Sequence, residues 1–130
     1  MNMVKTTAAQ ALELASAFRR MSIEVGNHRF DKRPGITAGD RKKLEGEELA
    51  LRMLSEQMIT KAVGIVLDDI EDGVDALVAT TTAGATAVKN LAKVRQILTI
   101  AGQAITLGSA VIAKNPKGIV DALKALAAEL

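Results

Sequence analysis

Five acidic residues fall within eight positions in the segment DDIEDGVD, residues 68–75. Carboxylates at this density suggest a calcium loop, which needs acids at its first, third and fifth positions and glycine at the sixth. Placing Gly73 sixth puts Asp68 first, but an isoleucine falls third and an alanine twelfth. The segment therefore predicts no EF-hand and no assigned metal ligand. Asp68, Asp72 and Asp75 share one helical face, and loose magnesium binding there stays open as an alternative.

A second charged segment, from Arg19 to Lys43, carries eight basic residues and three acidic ones. Such an excess can bind phosphates, and its place across a helix–loop–helix junction admits a nucleic-acid interface. The simpler interpretation is a solvated loop followed by a charged helix start, because no recognition-helix pattern and no interleaved aromatics accompany it. Nucleic-acid binding is therefore only the third-ranked function. Its candidate phosphate-binding residues are Arg29, Lys32, Arg33, Arg41, Lys42 and Lys43.

Residues typical of catalysis are sparse. His28 is the only histidine, and its place in the basic loop favours a solvated polar role over general-base work. The chain has no cysteine, and it shows no Walker motif, HExxH motif or nucleophile elbow. The sequence therefore predicts a protein that is not an enzyme, with no catalytic residue, no cofactor and no small-molecule substrate.

The aromatic content is also low, with two phenylalanines and no tryptophan or tyrosine. Aromatic side chains dominate interface anchors and the platforms on which bases stack. Their scarcity disfavours both an aromatic-anchored interface and a single-strand nucleic-acid platform. We expect a core of leucine, isoleucine, valine, alanine and methionine.

Helix start and stop signals punctuate the first half of the chain. Thr7 and Gln10 form a capping box, and it opens an amphipathic stretch that places Leu12 among the buried residues. Gly26 is the expected stop of this first helix. Thr37 and Asp40 form a second capping box, which predicts the start of the next helix.

Apolar residues then recur three or four positions apart with few interruptions. They predict one helix over about residues 38–79, a short turn at the segment TTTAG (80–84), and a second helix over about residues 83–113. Asn115 and Pro116 are the expected N-cap and first residue of a last helix. The predicted fold is all-α: a four-helix bundle with a long helical hairpin (about 38–79 and 83–113), shorter N- and C-terminal helices, and a single domain over residues 1–130.

The stretch from Ile97 to Ala113 contains no charged side chain. Its uncharged run is about 27 Å long as a helix, against about 30 Å for a bilayer core. Gln103 lies near its centre and no aromatic residue marks either end, so a buried central helix is favoured over a membrane span. Buried Gln103 would then need a hydrogen-bond partner. The alternative is a membrane-active or translocator-like protein whose hydrophobic hairpin, about 59–113, inserts into a bilayer.

The leading functional hypothesis is a non-catalytic interaction protein that self-associates or binds a protein partner through helix–helix contacts. The long predicted helix exceeds the other three in length, so part of its apolar face should lack cover within the chain, and such a patch usually marks an interface. The predicted interface residues are Leu44, Leu51, Met53, Leu54 and Met58.

The start of the chain lacks a basic region followed by an apolar one, so we expect a cytoplasmic protein or one secreted without a signal peptide. In composition the alanine-, threonine- and glycine-rich helices resemble secreted substrates and translocators of bacterial injection systems, or small phage-encoded proteins. No motif accompanies that resemblance, and no residue role follows from it.

Overall fold

The computed structural model describes residues 8–32, 34–61 and 73–130. These residues form five α-helices, numbered here in chain order: α1 (Ala8–Arg29), α2 (Ala38–Thr60), α3 (Gly73–Asn90), α4 (Val94–Ile112) and α5 (Pro116–Ala128). No strand occurs within the described ranges. The predicted all-α fold is confirmed, with five described helices where four were expected.

Two of the predicted helix starts are confirmed by their hydrogen bonds. The Asp40 backbone N–H donates to Thr37 Oγ1 at 3.0 Å, and the Thr37 N–H donates to the Asp40 carboxylate at 3.2 Å. At α5 the Gly118 N–H donates to Asn115 Oδ1 at 3.1 Å, with Pro116 in the first turn. Each bond satisfies a donor that the first turn leaves without an intrahelical partner. Thr7, of the first box, lies outside the described residues.

The predicted long hairpin is wrong. Helix α2 ends at Thr60, since the backbone of Lys61 is extended (φ −102°, ψ 147°) while its N–H still donates to the Gln57 carbonyl. The next described helix begins only at Gly73. Neither glycine nor proline marks the end of α2. The prediction depended on the spacing of apolar residues, which continues beyond Thr60. Residues 62–72 of the predicted helix lie outside the described ranges.

The predicted turn at TTTAG is also wrong, because Thr80–Gly84 lies in the middle of α3. Thr81 and Gly84 are buried there, and β-branched residues cost a helix only a few tenths of a kcal/mol, which burial outweighs. The real connection is Leu91–Lys93. At the end of α3 the Asn90 side chain donates back to the Thr86 carbonyl at 3.1 Å.

Gly26 does not end α1, which continues to Arg29. The glycine is buried where α1 packs on α2, and a Cβ built on it would clash with the Glu48 carboxylate. Gly26 therefore allows a carboxylate of α2 to approach the α1 backbone. The predicted stop at Gly26 is wrong because the missing side chain of a glycine serves two purposes: it favours the end of a helix, and it lets a neighbouring helix come close.

Side-chain hydrogen bonds define how the first three helices run. Ser55 Oγ donates to the Ala15 carbonyl at 2.7 Å and Ser22 Oγ donates to the Glu48 carbonyl at 2.9 Å, so α1 and α2 are antiparallel. Gln10 contacts Asp75 near the starts of α1 and α3, and His28 contacts Val88 near their ends. Helices α1 and α3 are therefore parallel neighbours. Helix α4 contacts all four of the others.

The core is aliphatic around one aromatic ring. The largest fully buried side chains are Phe18, Leu14, Met21, Leu44, Leu51, Met58, Leu77, Ile97, Leu107, Ile119 and Leu126. Phe18 packs against Gly108, at the point where α4 approaches both α1 and α2. All five described helices therefore contribute buried side chains to the core.

The helix that contains most of the Ile97–Ala113 stretch is buried on one side only. Its core-facing residues are Ile97, Ile100, Ala101, Ala104, Leu107, Gly108 and Val111. Thr99, Thr106 and Ser109 are exposed, and Gln103 is only half-buried, so the expected burial on every side is wrong. Within the described ranges no helix is long and apolar enough to cross a membrane.

Candidate interaction surface

Four of the five predicted interface residues lie inside the protein. Leu44, Leu51, Leu54 and Met58 are buried, while Met53 is 50% exposed. The expectation that this face lacks cover is wrong for a geometric reason: α2 ends at Thr60, and α1 and α4 both pack against it. Met53 borders a shallow groove of about 230 Å³ between α2 and α4 that also includes Ile105.

The predicted phosphate-binding residues are not one free cluster. Arg29 forms ion pairs with Glu48 at 3.2 Å and with Glu45 at 3.6 Å, and its guanidinium stacks 4.5 Å from the Phe30 ring centre. Arg41 Nη1 donates to the Arg29 carbonyl. Both arginines thus hold the α1–α2 connection together. The described lysines of the set are exposed (Lys32, Lys42 and Lys43), and Arg33 lies outside the described residues.

His28 has a structural contact that the sequence reasoning missed. It is buried in the last turn of α1, where a solvated loop was expected, and its Nε2–H donates to the Val88 carbonyl at 2.6 Å. Val88 lies in the last turn of α3, where carbonyls lack intrahelical donors. The imidazole N–H therefore caps the C-terminal end of α3. The spacing offered no signal for this bond, because its partners are sixty residues apart.

A small polar cavity of about 230 Å³ lies beside this bond, and its lining residues are Glu24, Asn27, His28, Asp31 and Lys89. No group of three or more His, Asp or Glu side chains in the described part of the chain is placed to hold a metal ion. Of the acidic face considered for magnesium, Asp75 is exposed and accepts a hydrogen bond from Gln10 at 3.3 Å. Asp68 and Asp72 lie outside the described residues.

The outer side of α1 carries exposed apolar side chains. Leu12 is 52% exposed, Ile23 is 49% exposed and Phe30 is 70% exposed. At about 100° per residue Leu12 and Ile23 fall within roughly 20° of each other around α1, and Phe30 follows directly after the last residue of the helix. Leu12 was expected in the core, and its exposure is a correction: the buried stripe of α1 runs through Leu14 and Phe18 on the other side.

This outer side of α1 borders a groove of about 360 Å³ between α1 and α3. The groove is lined by Ala9, Leu12, Glu13, Ser16, Ala17, Arg20, Val78 and Thr82. Most of these side chains are small or apolar, and the two charged ones lie two turns apart on α1. We call Leu12, Ile23, Phe30 and the groove residues the α1 outer face. A sequence signal existed for it, since Leu12 and Ile23 are eleven residues apart and share a side.

Glu47 is an unusual carboxylate on α2. Its side chain is partly buried, and burial raises the pKa of Glu47 above its ordinary value. Its Oε2 atom has no hydrogen-bond partner among the residues that the structure describes. The chief effect of this carboxylate is therefore on the pH dependence of stability.

Comparison with protein-family models, with curated proteins and with solved structures finds no match for this chain. The chain's own surfaces are therefore the basis for a function.

Proposed function

We propose that this protein is a non-catalytic interaction module that binds a protein partner, or a second copy of itself, through helix–helix contacts on the α1 outer face. The single observation that supports this is the exposure of Leu12 and Ile23 on one side of α1, with exposed Phe30 directly after the last residue of the helix. Exposed apolar side chains on one side of a helix, beside an apolar groove, are typical of an interaction site. Burying one such side chain fully contributes roughly 1.5–3 kcal/mol.

The groove beside these residues suits a helical ligand. Ala9, Ser16 and Ala17 of α1 are small, so a second helix backbone can approach closely, while Leu12 and Val78 offer apolar contact on the two walls. Helix-in-groove recognition uses apolar anchors spaced three, four or seven residues apart on the incoming helix. Helix α1 is 22 residues long, about 33 Å, which gives such a ligand several turns of contact.

The non-catalytic part of the proposal draws on how the reactive side chains are used. His28 Nε2 is engaged with the Val88 carbonyl. The buried hydroxyls of Ser22 and Ser55 donate to backbone carbonyls of the neighbouring helix. These three groups stabilise contacts between helices. Imidazoles and hydroxyls can act in catalysis, but here they have a structural role.

The test is a photo-crosslinking amino acid at Ser16, introduced in the cells that make the protein. Ser16 is exposed and lines the groove, so a bound partner would be captured there. We expect the crosslinked species to disappear when Leu12 and Ile23 are both changed to Glu. It should persist in the matched control, Leu49→Glu with Val120→Glu, which places the same charges on exposed apolar residues of α2 and α5.

Circular dichroism and thermal melting of the purified variants complete this experiment. The α1 variant should fold and melt like the wild type, since both of its changed residues are about half exposed. Equal crosslinking in both variants, or no crosslink from the wild type, would remove the α1 outer face as the interaction site.

A further inference from the structure

We propose that the partner of the α1 outer face is a second copy of this chain, paired so that the two α1 helices run antiparallel about a two-fold axis. This inference rests on the proposed function and adds the identity of the partner and the direction of pairing. It follows from how charge and apolar surface are distributed along α1.

The charges on the face are complementary to the same face turned end over end. Glu13 and Arg20 are both exposed and both line the α1–α3 groove, on one side of the helix. They are seven residues apart, about 10.5 Å along the axis, and their midpoint lies between residues 16 and 17. An antiparallel pair centred there places Glu13 at the same height as the partner's Arg20. Two-fold symmetry forms this contact twice.

The apolar residues follow nearly the same symmetry. Leu12 and Ile23 lie on opposite sides of that midpoint, and the antiparallel pair brings Leu12 within about 3 Å, measured along the axis, of the partner's Ile23 at both ends. Ser16, with a small side chain, falls next to the axis, where the two backbones come closest. Val78 and Thr82 of α3 extend the contact across the groove.

Parallel pairing of the same faces is disfavoured by charge. It would place Glu13 beside the partner's Glu13 and Arg20 beside the partner's Arg20, and juxtaposed like charges oppose association. Arg19 is exposed and lies between Leu12 and Ile23 on the same side of α1. In the antiparallel pair its long side chain can extend into solvent while its methylene stem covers apolar surface.

The contact is small, which sets its strength. Each copy contributes only one helix face and one groove wall. We therefore expect a total buried area below about 1,200 Å², the range in which complexes are weak and transient. We therefore expect a dimer that dissociates on dilution and whose stability depends on the two charge pairs.

Reciprocal charge substitution tests the geometry by sedimentation equilibrium of the full chain. In a homodimer of the Glu13→Arg variant two basic side chains face each other at each cross pair, and in a homodimer of the Arg20→Glu variant two acidic ones do. Each variant alone should therefore associate at least tenfold more weakly than the wild type. An equimolar mixture of the two variants should restore a one-to-one dimer, because both of its cross pairs join opposite charges: one is the native pair and the other is the exchanged pair. The chain that carries both changes should again form a homodimer, since both of its cross pairs are attractive.

Disulfide trapping tests the axis independently, and the chain offers a clean background because it has no cysteine. Ser16→Cys should form disulfide-linked dimers under mild oxidation, while Ser109→Cys, also exposed but on α4, should not. Leu12→Cys should crosslink to Ile23→Cys in a mixture and crosslink poorly with itself.

The outcomes separate this inference from the proposed function. A doubly changed chain that fails to recover the association lost in the single variants would overturn the antiparallel geometry. A wild type that stays monomeric at millimolar concentration, with no Ser16→Cys dimer, would overturn the second copy as partner. In that case the in-cell crosslink at Ser16 still decides the proposed function, since its loss in the Leu12→Glu, Ile23→Glu variant would show a different protein bound to the same face.

Discussion

Two helix contacts in this protein are built in different ways. Helix α1 is tied to α2 by directional bonds: Ser22 and Ser55 donate to backbone carbonyls, and Arg29 pairs with Glu45 and Glu48. Helix α4 meets α1 and α2 at Gly108, where the Phe18 ring and the Leu54 side chain come close. Both contacts bury apolar side chains, but directional polar bonds accompany the first, whereas the second depends on shape.

The two contacts differ in what they determine: the register of one helix on another, or the free energy of unfolding. A hydrogen bond to a particular carbonyl defines the axial register of α1 on α2, but its net contribution to stability is only about 0.5–1.5 kcal/mol. Apolar packing contributes more free energy and tolerates little change in volume. We therefore expect large stability losses when buried apolar side chains of α4 are truncated and smaller ones when the polar bonds between α1 and α2 are removed.

The largest loss is expected from Leu107→Ala on α4. Leu107 is fully buried, and such truncations cost about 2–5 kcal/mol through lost transfer energy and the cavity left behind. Urea denaturation followed by circular dichroism measures this loss. Thr106→Ala is the control, since Thr106 is exposed and its hydroxyl bonds to the Gly102 carbonyl of its own helix, so its change should stay within about 0.5 kcal/mol.

A sharper probe of shape compares alanine at two buried glycines. A Cβ at Gly108 would lie 2.9 Å from both Leu54 Cδ1 and Phe18 Cε1, and the ring is held in the core. A Cβ at Gly84 would lie 2.7 Å from the terminal methyl of Met21, which can swing aside. We expect Gly108→Ala to lower the free energy of unfolding by about 1–3 kcal/mol. Gly84→Ala should be close to neutral, and equal losses would mean that Phe18 moves as readily as Met21.

On the polar side, Ser55→Ala and Ser22→Ala should each lower the free energy of unfolding by about 0.5–1.5 kcal/mol. Each change removes one hydrogen bond between α1 and α2 but creates little cavity. Denaturant titration of the single and double variants checks whether the two losses add. A loss above that of Leu107→Ala would reverse the ranking of the two contacts.

One substitution should stabilise the protein. Thr81 is fully buried in α3, and its hydroxyl has no hydrogen-bond partner among the described residues. Thr81→Val keeps the shape and removes the unsatisfied group, so the melting temperature should rise by a few degrees, for a gain of about 1 kcal/mol. Thr82→Val, at a half-buried position, should change the melting temperature little, and a destabilised Thr81→Val would show that the hydroxyl has a partner.

The smallest expected effect depends on pH. Because burial raises the pKa of Glu47, the folded protein binds this proton more tightly than the unfolded chain does. Ionised Glu47 therefore costs stability at neutral pH, and the cost fades as pH falls through the raised folded-state pKa. Glu47→Gln should be slightly more stable than the wild type at pH 7, with the gain lost near pH 4.5, the ordinary value. Glu56→Gln, exposed on α2, should show no such trend across the same melting series.

The features predicted correctly from the sequence are local ones. The Thr37–Asp40 and Asn115–Pro116 signals involve residues within one turn, and their bonds form as expected. The ends at Thr60 and Asn90 were missed because no glycine or proline marks them. TTTAG was misread because threonine and glycine weaken a helix only slightly compared with what burial of Thr81 and Gly84 contributes.

The candidate surface was harder to predict, because an apolar stripe shows that a residue can be buried but does not show by what. Leu51 and Leu54 have the same spacing whether a partner or α1 and α4 cover them. Leu12 and Ile23, in contrast, lie on a second side of α1, away from the stripe that Phe18 marks. That second apolar side can be recognised from the sequence, and it is a better indicator of an interface than the stripe that contains Leu51 and Leu54.

The bond from His28 to Val88 also has a consequence for the order of folding. It joins residues sixty positions apart, and α1 and α3 are parallel, so their contact requires closure of a long chain segment. Contacts between α4 and α5 form across a connection of a few residues and should appear early. During synthesis α1 can pair with α2 well before α3 has left the ribosome. The sides of α1 that face α3 and α4 therefore stay uncovered after α2 has packed, and a nascent chain is most exposed to wrong association along those sides.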